Sequence, residues 1–351
     1  MALYDSVKDL ALEIESYELE PLELVVSPEF TRVTTVVHLR GAGEEGVGED
    51  VTYTAEDHPP PSDLPLAGSF TIDSFSQLLE TLTLFTSPPQ MPAWHDYRRW
   101  AFESAALDLA LRQAGRSLAE AVEREPRPVT FVTSRRLVDP PSVDQVTRWL
   151  DLYPPLRFKL DPTSDWTDEL VNDLAATGAI DSVDLKGQYE GTVVDQPPDP
   201  ELYRRVAEGF PDAYLEDPAL TDETDAVLEP YHDRVTWAAP IHSVADVEGL
   251  SFPPRVLNSK PSRFGRLQEV LDFYAYCEEH GIALYGGGMF ELGPGRGQIQ
   301  YLASLFHPDG PNDVAPRAYN APEPRPGLPA SPLAVAPEDV GFRWRESSAT
   351  L

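Results

Sequence analysis

The sequence is short of cysteine, of lysine and of positive charge altogether. Its single cysteine, Cys277, excludes an internal disulfide and a cysteine-cluster zinc site. No stretch approaches the roughly 20 apolar residues that a membrane helix requires. The opening residues, MALYDSVKDLALEIESYELE, carry acid where a secretory signal needs a basic start and an apolar centre. The expectation is a cytoplasmic protein without a membrane partner. Lys and Arg together number 27 against 59 Asp and Glu, a formal net charge of −32. So acidic a surface repels polyanions and excludes nucleic acid as a partner. No GxGxxG follows the first strand of the parallel segment, which argues against an open dinucleotide-binding sheet. The glycine-rich run at 286–297 lacks the G-K-[ST] ending of a phosphate loop and reads as a tight turn.

The chain is long enough, at 351 residues, for two domains, and 41% hydrophobic with 10% aromatic residues fits a packed core. Residues 9–40 alternate apolar and polar, which predicts two or three strands, and GAGEEGVGEDVTY predicts a glycine-punctuated hairpin continuing that sheet. A helix follows in RRWAFESAALDLALRQAG, with apolar residues at i, i+3 and i+4 and a stop at Gly115. Residues 1–125 therefore read as an α+β unit. From 126 to 310 seven short apolar runs (PVTFVTS, LRFKL, DSVDLK, DAYLED, RVTWAAP, RVLNSKP and IALYGGG) alternate with helical segments. This is the grammar of a parallel β/α barrel. Residues 311–351 are rich in proline and read as a tail packing back on the first domain.

In a β/α barrel the chemistry sits at the C-terminal ends of the strands. Those ends carry Thr133 and Ser134, Lys159, Asp184 with Lys186, Glu216 with Asp217, Lys260, and the run Gly286 to Glu291. Only four lysines occur, Lys8 being the fourth, so three of four fall at strand ends in a chain that otherwise uses arginine. A buried lysine can be tuned into a base, whereas arginine cannot give up its proton. Two lysines from separated strands could flank a substrate while acids between them hold Mg²⁺, which offsets charge as a proton leaves next to a carboxylate.

The chain resembles the enolase superfamily, in the branch of muconate-lactonizing enzymes, o-succinylbenzoate synthases and dipeptide epimerases. The resemblance rests on VGED after the first hairpin, RRWAFESAALDLALRQAGRSLAEAV, LRFKLD, VDLKG, YLEDP, VLNSKPSRFGRL and GGGMFELGPGRG, in the family's order. It implies a (β/α)7β barrel with an N-terminal α+β capping domain and assembly into a homo-oligomer. It further implies proton abstraction from a small carboxylate substrate, as in racemases, epimerases, cycloisomerases and dehydratases. Lys159 resembles the second lysine of the K-x-K motif and Lys260 the lysine of the sixth strand, the two acid/bases. Asp184 and Glu216 resemble the first two metal ligands. Thr133, Ser134, Arg157, Asn258 and Glu291 fall where the family lines its substrate pocket.

Three positions depart from the family. Arg157 stands for the first lysine of K-x-K. Ala238 and Ala239 stand where a fifth-strand acid completes the metal site, so the third ligand is expected to be absent. Lys186 replaces an Asn two residues after Asp184. Residues i and i+2 of a strand face the same side, which predicts the Lys186 ammonium between Asp184 and Glu216, in the metal's place. The alternatives to a Mg²⁺-dependent enzyme are thus metal-free catalysis built on Lys186, or a silent carboxylate-binding protein.

Overall fold

The computed structural model describes residues 3–27, 30–58, 61, 63–192 and 194–345. The first unit begins with β1 (Ala11–Ile14), β2 (Ser16–Ser27), β3 (Phe30–Gly41) and β4 (Glu44–Asp50). β2, β3 and β4 form an antiparallel meander. The β3–β4 turn places Ala42 and Gly43 at φ of 51° and 80°, a two-residue reversal whose twist matches the flanking strands. β1 pairs instead with β5 (Gly68–Thr71), which runs into α1 (Ile72–Thr81). Helix α2 (Trp94–Gln113) then packs on β4. Gly46 and Gly48 let it approach. A Cβ on the first would stand 2.2 Å from the Ala105 carbonyl oxygen, and one on the second 2.0 Å from that of Ala101. Two residues apart on a strand, they clear one continuous track for the helix. The short α3 (Leu118–Ala121) leads out of this unit.

The second unit is a barrel. β6 (Thr133–Arg135), β7 (Phe158–Leu160), β8 (Ile180–Asp184), β9 (Tyr214–Glu216) and β10 (Val235–Thr236) pair in parallel in that order. β11 (Val256–Ser259) and β12 (Ala283–Gly286) form a second parallel pair. The Asn258 N–H donates to the Trp237 carbonyl at 3.1 Å and joins the two sheets. Helices α4 (Asp144–Leu152), α5 (Asp168–Ala176), α6 (Pro200–Gly209), α7 (Asp222–Leu228) and α8 (Val244–Glu248) fill the connections from β6 to β11. α9 (Pro261–Phe264) and α10 (Leu267–His280) join β11 to β12, and α11 (Gly295–Phe306) follows β12. All seven expected strands are present, in the fold of a (β/α)7β barrel behind an α+β cap. Among the described residues no helix is long and apolar enough to cross a membrane.

The ring closes through residues that composition assigned to the tail. Asp313 N–H donates to Gly286 O at 2.7 Å and Val132 N–H to Asn312 O at 2.8 Å, so Asn312 and Asp313 occupy the place of the eighth strand. Proline content hid this, because two residues suffice to bridge the edges. Leu333 then pairs with Val129. Residues 341–343 reach the cap, where Asp108 of α2 accepts from Phe342 N at 2.7 Å and Arg343 Nε at 2.6 Å.

Two joints fix the mouth of the barrel. Glu49 at the end of β4 accepts from the N–H groups of Leu292, Gly293 and Gly295 at 2.6, 2.9 and 2.9 Å. Arg32 of β3, fully buried, donates to the carbonyls of Val51, Thr52, Met289 and Phe290 at 2.7–3.2 Å. The cap thereby pins the loop after β12 by its backbone.

Asn312 is the clasp of the barrel. Its Oδ1 accepts from Gly286 N at 2.6 Å and from His307 Nδ1 at 2.7 Å, and its Nδ2 donates to the carbonyls of Thr130, His307 and Gly310, each at 2.9 Å. Orphaned buried donors cost about 1–3 kcal/mol each. Asn312→Ala is therefore expected to lose about 3 kcal/mol in denaturant unfolding, and a loss below about 1 kcal/mol would refute the clasp. Burial lowers the His307 pKa to about 4, so the ring is neutral and Nδ1 carries the donated proton. The unfolded chain then binds the extra proton between pH 6.5 and 4, and stability falls as pH drops through that window. His307→Gln should flatten that part of the Tm-against-pH curve.

Candidate active site

Alternation along the short barrel strands sends Phe158 and Leu160 outward to the helices and Lys159 inward. The same pattern turns Asp184, Glu216, Asn258 and Tyr285 into the barrel. They meet at one carboxylate. Glu216 Oε1 accepts from Lys159 Nζ at 2.6 Å and Asn258 Nδ2 at 3.0 Å, with Lys260 Nζ at 3.5 Å. Its Oε2 accepts from the Tyr285 hydroxyl at 2.7 Å. Lys159 Nζ also lies 3.0 Å from Asp184 Oδ2. Lys260 reaches this point because residue 287 is glycine, where a Cβ would stand 2.6 Å from Lys260 Cε.

The two lysines are held in different electrostatic conditions. Burial disfavours the Lys159 ammonium, but Asp184 and Glu216 outweigh it and raise its pKa well above the ordinary value. Burial and then the Lys159 charge lower that of Lys260, with Glu216 opposing only in part. Burial likewise opposes the charge on Asp184, yet Lys159 and Lys186 hold it ionised, well below the usual carboxylate range.

A third carboxylate completes the group, contrary to the expectation that none was near enough. Asp184, Glu216 and Asp217 each offer an oxygen within 4.8 Å of the other two, and all three residues are buried. In an extended strand Asp217 would face away from Glu216. The strand stops at Glu216, however, and Asp217 takes a left-handed φ of 50°, which brings it back to the cluster. Its Oδ1 accepts from the N–H groups of Ala238 and Ala239 at 2.8 and 3.1 Å. The residues after the fifth strand thus contribute backbone donors, and the third acid comes from the end of the fourth. Burial, with Asp184 and Glu216 beside it, raises the Asp217 carboxyl to about 6. Three buried carboxylates fit a hard divalent cation such as Mg²⁺.

Lys186 does not lie between Asp184 and Glu216. That position belongs to Lys159. β8 ends at Asp184, and Lys186 adopts a φ of 54°, so strand alternation no longer governs it. Its Nζ lies 2.6 Å from Asp184 Oδ2 and 3.5 Å from Asp161 Oδ2. Arg157 is likewise outside the site. It precedes β7 and pairs with Asp181 near the N-terminal end of β8, its Nε 3.0 Å from Asp181 Oδ1. The same-face pair at the C-terminal end of β7 is therefore Lys159 and Asp161, two residues further on than the K-x-K register assumed. Thr133 is buried on β6, whereas Ser134 is exposed. Glu291 accepts from Met289 N at 2.6 Å and pairs with Arg296 at 3.0 Å, which commits it to shaping the loop after β12. Asp161 and Tyr285 were missed. Inward alternation from Leu284 would have found Tyr285.

Mn²⁺ binding followed by EPR tests this geometry. Asp217→Asn is expected to weaken binding at least tenfold. Lys159→Met, which removes the ammonium spanning two of the acids, is expected to tighten it. Unchanged affinity in Asp217→Asn would mean that the three acids do not act as one site.

The comparisons agree with this architecture. A muconate cycloisomerase from Pseudomonas fluorescens superposes with a TM-score of 0.62 at 20% identity, covering 87% of both chains. A dipeptide epimerase from Methylococcus capsulatus, complexed with a Mg ion, gives 0.62 at 19%, covering 90% of this chain and 89% of its own. These likenesses establish the enolase-superfamily fold. Among curated proteins, the o-succinylbenzoate synthase of Bacillus subtilis is 41% identical and the N-succinylamino acid racemase of Thermus thermophilus 44% identical. Each match spans 61 residues, 17% of this chain and 16% of the relative's length. Along the chain itself, residues 5–121 match the N-terminal domain and residues 125–321 the C-terminal domain of DUF8230, a domain of unknown function. With the fold of the enolase superfamily and both of these domains in order, the chain belongs to the DUF8230 family.

Proposed function

We propose that the protein is an enzyme that removes a proton from the carbon α to a carboxylate of a small organic acid, with Asp184, Glu216 and Asp217 holding Mg²⁺. One observation carries this reading: Lys159 and Lys260, from separated strands, reach the same oxygen of Glu216 beside two further acids. Loss of such a proton puts a second negative charge on an already anionic substrate. The cation, when bound, offsets that charge. Lys260, lowered by burial and by Lys159, is the base. Lys159, held as the ammonium by Asp184 and Glu216, is the proton donor of the pair, presented from β7. Tyr285 and Asn258 fix the Glu216 carboxylate from both oxygens and so set where the two amines stand.

The reaction is a racemisation, an epimerisation, a cycloisomerisation or a syn-elimination of the o-succinylbenzoate synthase kind. The partial relatives make N-succinylamino acids the first substrates to try. A metal-free variant of the reading is favoured by one distance pair: the Lys159 ammonium already spans Asp184 and Glu216 at 3.0 and 2.6 Å. It differs from the notion of Lys186 in the metal's place only in which lysine supplies the charge. Proton NMR in D₂O decides. N-succinyl-L- and D-amino acids should exchange their α-protons with Mg²⁺ present, and EDTA should stop the exchange. Lys260→Ala is expected to cost about 10²–10⁴-fold in rate. Exchange that survives EDTA selects the metal-free form, and no exchange under either condition counts against catalysis on these acids.

A further inference from the structure

Asp161 and Lys186 form a charged pair that the mechanism above leaves without a task. They are the least buried charged groups of the cluster. The side chains of Lys186 and Asp161 are 13% and 15% exposed, against 2% for Lys159, 5% for Lys260 and none for Asp184 and Glu216. A ligand entering from the mouth therefore meets this pair first. Lys186 is built into its position. The left-handed backbone at 186 folds the chain back at the end of β8, and its own N–H donates to Asp184 Oδ1 at 3.2 Å. The ammonium is then braced on three sides, by Asp184 at 2.6 Å, Asp161 at 3.5 Å and the face of Tyr189, with the ring centroid at 5.1 Å. Arg263 donates to the Tyr189 hydroxyl at 3.0 Å and holds that ring in turn.

Asp161 is not satisfied by this contact. Its Oδ1 is buried without a hydrogen-bond partner, and 3.5 Å is long for a charge-assisted bond. A residue with spare acceptor capacity, set beside a partly open ammonium, acts as a brace for it. An ammonium has three donors; Lys186 bonds Asp184 with one and faces Asp161 at 3.5 Å, leaving donor capacity for a ligand on its open side.

We infer that Lys186 is the residue that binds the substrate's carboxylate at the mouth of the site, and that Asp161 is its positioning residue. This deepens the proposed function and rests on it, since it assigns the anionic group of the same substrate. It also explains a lysine at this position without giving it the metal's place.

Steady-state exchange of N-succinylamino acids and thermal unfolding, both on the full chain, test the pair. Lys186→Met is expected to raise KM at least tenfold with kcat within about threefold, Lys186→Arg to recover most of the loss, and Asp161→Asn to raise KM by less. A fall in kcat at unchanged KM overturns the assignment. In unfolding, the double variant Asp161→Asn/Lys186→Met should lower Tm by less than the sum of the single changes, and additive shifts overturn the role of Asp161. Should the native protein exchange none of these acids, the catalytic reading fails for them separately. Calorimetric binding of N-succinylglycine then decides for Lys186. Binding lost in Lys186→Met supports the contact, whereas binding undiminished in that variant, or absent from the native protein, overturns it.

Discussion

The Glu216 carboxylate, buried at the centre of the barrel, organises everything around it. Four side chains from β7, β11, the start of α9 and β12 turn toward its two oxygens. A buried charge on this scale is tolerated only when it is paired and hydrogen-bonded, because desolvation of a lone carboxylate costs several kcal/mol. Lys159 meets that requirement for Glu216 and Asp184 together. Replacing such a pair by well-packed apolar residues is often neutral for stability. The arrangement is therefore better understood as a means of fixing two amines in space than as a source of folding energy.

That fixation depends on the closed ring. The strands are only two to five residues long, too short to hold a site by strand pairing alone. Closure by Asn312 and Asp313 sets the stagger of β12 against the first strand, and with it the height of Tyr285 and Gly287 relative to Lys260. The cap adds a second constraint from outside. Glu49 and Arg32 bind the loop after β12 through its N–H and carbonyl groups, so that loop is shaped by backbone contacts while its side chains are left to line the mouth. The segment 46–50, whose two glycines admit α2 and whose glutamate grips the barrel, thus couples cap packing to site geometry.

The charge distribution inside the site is graded from floor to mouth. Lys159 and Glu216 are sealed, Lys260 is nearly so, and Asp161 and Lys186 open outward. Asp161 and Asp217 both have carboxyl groups raised to about 6, chiefly by burial, with the Asp184 carboxylate adding to the shift in each. An acidic cluster with unmet demand for cations attracts either a divalent ion or an ammonium. In this chain the ammonium of Lys159 already spans Asp184 and Glu216.

Much of this was legible in the linear chain. Period-two alternation in residues 9–40, the helix stopped at Gly115 and the seven apolar runs after 128 specify a cap and a barrel, because burial of one face per element leaves few other solutions. Strand ends brought Lys159, Asp184, Glu216 and Lys260 into a wider set, and the family resemblance picked these four out of it. What failed did so where the backbone leaves regular geometry. Lys186 takes a positive φ at a strand end, so the rule that residues i and i+2 share a face put the wrong lysine between the acids; Asp217, also at a positive φ, was passed over because the third acid was sought on the fifth strand. Arg157 was misplaced because a two-residue shift in register preserves facing while moving a side chain from one end of the barrel to the other. The closing strand was lost in a proline-rich stretch, since two bridging residues leave no periodic signal. Which elements form and which faces they bury follow from local pattern along the chain. Which charges meet is a property of the folded barrel, because it depends on where each strand stops and how the ring is closed.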